Sequence, residues 1–134
     1  HFPNESKLIG TAREVNNFKA SWSVEKIQNK ILKFELTQKR KPTVALCGLA
    51  FKPNIDDLRE SPALHIAEKI SQTHPKEKIF FVEPNIVSHK RFQITPLKKA
   101  LMHSDLIFVL VAHKEFKNID TSIIEKKVYS FVSL

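Results

Sequence analysis

Thr43-Val-Ala-Leu-Cys47, followed by Gly48-Leu-Ala-Phe-Lys-Pro-Asn-Ile-Asp-Asp-Leu-Arg-Glu-Ser-Pro62, decides how this chain folds. The first five residues form a short, continuous apolar run, the pattern of a strand buried on both faces of a parallel sheet rather than on one. Gly48 ends the run, and a long charged loop leads to Ser61, a candidate N-cap, and Pro62, suited to the first position of a helix. Pro53 disfavours helical backbone angles at Lys52, so Phe51 and Lys52 are expected to be extended and to project from the rim of the sheet.

Outward from this stretch the pattern repeats. Ile79–Val82 and Leu106–Val111 are further apolar strand runs, Val128–Val132 is a weaker one, and Phe92–Ile94 is a short candidate. Helical stretches at Pro62–Thr73, Pro96–His103 and Thr121–Lys126 separate them. Alternating strands and helices predict an α/β fold, a doubly wound parallel sheet of Rossmann-like type, whose ligands bind beyond the carboxyl ends of the strands. Upstream the period is helical: Leu8, Ala12 and Val15 form one apolar stripe, and Val24, Ile27, Ile31 and Phe34 form another. Asn16-Asn17 between the stripes predicts a bend and hence two helices, the second running from about Ser21 to Leu36. Pro42 closes the polar linker that follows. The expected organisation is a helical segment over residues 1–38 and an α/β domain over residues 39–134.

Composition narrows the function classes. A length of 134 residues with 42% apolar content suits one domain with a single core. The run Leu106–Ala112 is too short to span a bilayer, and no secretory signal pattern opens the chain, so a cytoplasmic location is the default expectation. Cys47 is the one cysteine, which rules out an internal disulfide and a cysteine zinc site. The six histidines show no ligand spacing on a helix face and are read as surface or packing groups rather than a metal site. The formal charge of +8 is scattered, without interleaved exposed aromatics, and is read as a solvated surface rather than a nucleic-acid interface. The chain opens on His1 directly into helix-like sequence, the expectation being a piece of a longer protein.

The loop from Gly48 to Pro62 resembles the UDP-glucose/GDP-mannose dehydrogenase family, as do Thr11-Ala-Arg-Glu-Val-Asn16, Val82-Glu-Pro-Asn85 and His113-Lys-Glu-Phe-Lys117. Within it the likeness is greatest to bacterial UDP-N-acetyl-D-mannosamine dehydrogenases, and it extends over about residues 7 to 120. The resemblance implies a C-terminal UDP-sugar-binding domain and, in the whole enzyme, NAD as the oxidant of the sugar C6 alcohol. The chain has only two glycines and no glycine-rich dinucleotide fingerprint, so NAD would be held mainly outside it.

Carried over residue by residue, the resemblance gives Phe51 and Lys52 to the UDP-sugar, where a lysine suits the charge of a diphosphate. The plain alternative for Lys52 is a solvent-facing loop side chain. Arg59 matches the arginine that reaches toward NAD, and its alternative is an ion pair with Asp56, Asp57 or Glu60. Arg13 lies in the segment resembling the central dimerisation helix, where its match contacts the partner subunit's substrate site; a surface arginine is the alternative. A homodimer through this region is implied for the whole enzyme. The nucleophilic cysteine of the family is expected upstream of residue 1, because Cys47 sits inside an apolar strand where thiols are inert packing groups. Phe80, Phe81 and Phe108 read as strand core. Glu83, at the end of a strand, occupies a place where doubly wound folds often put a ribose-binding acid, a role that the resemblance does not assign to it.

Two departures stand out. Ala112 precedes His113 where relatives carry an acidic residue, and Val128–Leu134 lacks the acidic turn and the basic residue that normally follow. Two other readings stay open: a dehydrogenase of UDP-glucose or another UDP-hexosamine, and a non-catalytic nucleotide-binding or assembly module. A phosphorylation-controlled receiver domain shares the strand-helix order, but no acidic residue ends its third main strand here.

Overall fold

The computed structural model describes residues 5–50, 61–90, 92–117, 119 and 127–131, with side chains from Ala20 onward, Lys127 excepted. The chain forms a long helix α1 (Glu5–Gln38), then β1 (Val44–Cys47), α2 (Pro62–Thr73), β2 (Ile79–Val82), α3 (Leu97–His103), β3 (Leu106–Val109) and β4 (Lys127–Ser130). Short 3-10 turns at Lys76–Lys78 and Lys114–Phe116 lie before β2 and after β3.

The four strands pair in parallel in the order β2-β1-β3-β4. This is the doubly wound arrangement expected from the sequence. Chain direction across the sheet reverses between β1 and β3, the switch point at which such folds open a crevice. The register sets Val44 beside Ile79 and Leu106, and Cys47 beside Val82 and Val109.

Strand side chains alternate between two buried layers. Val44, Leu46, Ile79, Phe81, Leu106 and Phe108 point to one face, where Ile27 and Ile31 of α1 and Ile66 and Ile70 of α2 cover them. Ala45, Cys47, Val82, Ile107 and Val109 point to the other, with Ala100 of α3 and Phe116. Two covered faces explain why β1 and β3 show no polar alternation in sequence. Phe80, Phe81 and Phe108 belong to these layers, as expected.

Helix α2 begins as predicted: Ser61 is its N-cap, its side chain accepts from the Leu64 amide, and Pro62 follows. The two helices expected on either side of Asn16-Asn17 are corrected to one, since α1 runs through both residues. Asparagine costs at most about 0.7 kcal/mol in a helix interior and leaves the hydrogen-bond ladder intact, unlike proline. The helix ends where Lys39 turns left-handed at φ 60° and its amide donates to the Glu35 carbonyl at 3.0 Å. Pro42 then accepts through its carbonyl from Nε2 of buried His74 at 2.8 Å, tying the linker to the end of α2. Phe92–Ile94, a candidate strand, is reduced to a single parallel bridge between Ile94 and Phe81 beside β2. The helical expectation for Thr121–Lys126 falls outside the described residues.

Candidate functional site

The carboxyl ends of β1, β2 and β3 converge on one carboxylate. Glu83, the residue after β2, is 1% exposed. Its Oε1 accepts from the amides of Leu49 (2.9 Å) and Ala50 (3.0 Å) in the turn after β1, and from His113 Nε2 (2.8 Å) beyond β3. Its Oε2 accepts from the Asn85 amide at 3.0 Å and from Asn85 Nδ2 at 3.2 Å. Five donors thus surround one buried charge.

The same network fixes the state of His113. An ionised carboxylate only accepts, so the Asn85 atom facing it is the amide nitrogen. That nitrogen lies 3.3 Å from His113 Nδ1 and donates to it, which puts the imidazole proton on Nε2, directed at Glu83. Burial pushes the Glu83 carboxyl up, but hydrogen bonds from Leu49, Asn85 and His113 outweigh it and hold the group below the ordinary glutamate value. Saturated with donors and shielded from water, Glu83 acts as a structural acceptor rather than a proton shuttle.

Glycine is required at the head of this turn. Gly48 has φ +101°, and a Cβ there would lie 2.7 Å from the Cβ of Val111. Gly48 donates to the Val82 carbonyl at 2.7 Å, and Leu110 donates to the Cys47 carbonyl at 2.8 Å, so the three strand ends are laced together. Ser61 Oγ donates to the Ala50 carbonyl at 3.1 Å. The chain therefore leaves the sheet at Ala50 and returns at Ser61 beside it.

Phe51, Lys52 and Arg59, the residues assigned to ligands from the sequence, lie between those two points and outside the described residues. So do Asp56, Asp57 and Glu60. Arg13 belongs to α1, and its side chain is likewise outside them. Beside Glu83 a cleft of about 270 Å³ is lined by Pro84, Ile86, Thr95, Pro96, Leu97 and Glu115, among others. The described residues lining it are apolar, neutral or acidic, so a diphosphate bound near the strand ends needs cations from elsewhere.

The turn after β1 also bears on a dinucleotide. In dinucleotide folds its amides face the pyrophosphate. Here Leu49 and Ala50 spend theirs on Glu83, and a carboxylate occupies the place an anion would take. The described residues do not fit the pyrophosphate of NAD at this turn. The ribose-binding role that the resemblance does not assign to Glu83 is disfavoured for the same reason: both oxygens are engaged inside the protein. Cys47 is fully buried, and desolvation pushes its thiol up to about 12, which bears out the reading of an inert packing group. No group of three or more metal-ligating side chains occurs among the described residues, and none of their helices is long and apolar enough to cross a membrane.

Residues 45–133 match the UDP-glucose/GDP-mannose dehydrogenase family, UDP binding domain. The chain belongs to this family. Among relatives of this dehydrogenase-family chain, the UDP-N-acetyl-D-mannosamine dehydrogenase of Campylobacter jejuni is 44% identical over 136 residues, covering 96% of the chain and 31% of the relative. That of Escherichia coli K12 is 42% identical, covering 88% and 30%. The structure of the Staphylococcus aureus UDP-N-acetyl-mannosamine dehydrogenase superposes with a TM-score of 0.70 at 28% identity, covering 93% of this chain and 30% of that one. The chain spans about 30% of the length of the relatives it matches.

The pairing of Glu83 with His113 was not found from sequence. Both residues stand in segments that carry the family likeness, Val82–Asn85 and His113–Lys117, and that shared membership was the available signal.

Proposed function

We propose that this chain is the UDP-sugar-binding part of an NAD-dependent UDP-N-acetyl-D-mannosamine 6-dehydrogenase, with residues 1–38 ending a central helical dimerisation region and residues 39–134 forming the C-terminal domain. The observation that carries this is the match of residues 45–133 to the UDP binding domain, joined to 44% identity with a UDP-N-acetyl-D-mannosamine dehydrogenase over nearly the whole chain. The whole enzyme is a cytoplasmic homodimer in this reading.

The domain's task is positioning. In this reading Phe51 and Lys52 contact the UDP-sugar, Lys52 supplying the cation that the cleft beside Glu83 lacks, and Arg59 serves the cofactor. Arg13 contacts the site of the partner subunit. Bound mainly by residues outside this chain, NAD would accept hydride twice, so that one C6 alcohol, one water and two NAD give a carboxylate, two NADH and three protons. Holding C6 in line for each transfer supplies much of the rate.

The test is the intact protein with NAD and a panel of UDP-sugars, followed by NADH absorbance. Two NADH per UDP-N-acetyl-D-mannosamine are expected, with UDP-glucose and UDP-N-acetyl-D-glucosamine poorer substrates. A preference for UDP-glucose moves the reading to that substrate, and no turnover with any UDP-sugar overturns it in favour of a binding or assembly module.

A further inference from the structure

We infer that Glu83 and His113 are positioning residues for sugar-nucleotide binding: the buried carboxylate, oriented by His113, fixes the backbone of Leu49 and Ala50, the two residues that precede Phe51 and Lys52 in the chain. This rests on the proposed placement of Phe51 and Lys52 against the UDP-sugar.

Gly48, at φ +101°, turns the chain so that the next two amides point the same way, and a single oxygen, Glu83 Oε1, receives both. A carboxylate on a flexible stem would swing between such donors. Asn85 holds its other oxygen through two hydrogen bonds, and His113 Nε2 holds the shared one from the opposite side. His113 is itself fixed: it is fully buried, its amide donates to the Val111 carbonyl at 2.9 Å, and its ring lies 5.5 Å from that of buried Phe116. A chain of fixed contacts therefore runs from the end of β3 through Glu83 to Leu49 and Ala50. Small displacements at such a base are amplified at the reacting atoms, where an ångström of misplacement costs on the order of a hundredfold in rate.

The experiment uses the intact dehydrogenase carrying H113A or H113Q, since a glutamine amide can donate to Glu83 and accept from Asn85 as the imidazole does. Hydrogen exchange at Leu49 and Ala50 and the UDP-sugar KM are read well below the melting temperature. In H113A exchange is expected to quicken and the KM for UDP-N-acetyl-D-mannosamine to rise roughly ten- to hundredfold, while H113Q recovers most of both. If H113A does not fold, E83Q carries the same expectation, because one of its amide protons must face a donor. Unchanged exchange overturns the inference, as does faster exchange with an unchanged UDP-sugar KM, which marks a purely structural pair. Absence of turnover in the unsubstituted protein removes the dehydrogenase reading and with it the substrate role of the pair, whereas the exchange result stands apart from that failure.

Discussion

Gly48 and Val111 meet at the switch point of the sheet so closely that a Cβ on Gly48 would stand 2.7 Å from the Val111 Cβ and 2.9 Å from its backbone nitrogen. The backbone nitrogen cannot yield as a side-chain tip would. Gly48→Ala combines this overlap with a left-handed φ and is expected to lower the unfolding free energy by more than about 2 kcal/mol. Denaturant unfolding of the variant checks it, and a loss under about 0.5 kcal/mol would contradict the geometry.

Lys39 offers the opposite test. It is a non-glycine residue at φ 60° closing α1. Lys39→Gly relieves that strain at a helix C-terminus and should raise stability by about 0.5–1 kcal/mol, read as an upward shift in denaturation midpoint.

Acid should loosen the strand ends through Glu83. Its folded carboxyl is held below the ordinary value by hydrogen bonds that outweigh burial. As pH falls the unfolded chain takes up this proton first, so the stabilisation is present above about pH 4.3 and disappears as pH drops through the lower folded value. The difference in unfolding free energy between wild type and E83Q should therefore shrink on acidification below that range. A difference that is constant from neutral to strongly acidic pH would show that the carboxylate charge does not hold the turn.

Cys47 should resist thiol reagents in the folded protein and react once the chain is unfolded. Its thiol is pushed up to about 12 by burial and is enclosed by Ala45, Val82, Ile107 and Val109. Rapid native-state labelling would mean that the layer between the sheet and α3 opens readily.

Most of the fold was legible because its signals are local. Ser61-Pro62 marks the start of α2, and the unbroken run Ile79–Val82 coincides with β2. Asn16-Asn17 misled because a weak helix former resembles a boundary in sequence while the intact hydrogen-bond ladder carries the helix through it. The site was less legible. Glu83 and His113 are 30 residues apart and meet only through the parallel register that sets the end of β2 beside β1 and the end of β1 beside β3. Periodicity encodes that each strand is buried, not which polar groups its end will bring together.

Lys52 is the cation proposed to meet the sugar diphosphate, and the most direct test is a calorimetric titration of UDP-N-acetyl-D-mannosamine into the intact protein and its Lys52→Ala variant, alongside their melting temperatures. A loss of affinity of roughly tenfold or more at an unchanged melting temperature is the predicted result, in keeping with a charge-assisted contact from a loop side chain. Equal affinity in the two proteins would contradict it.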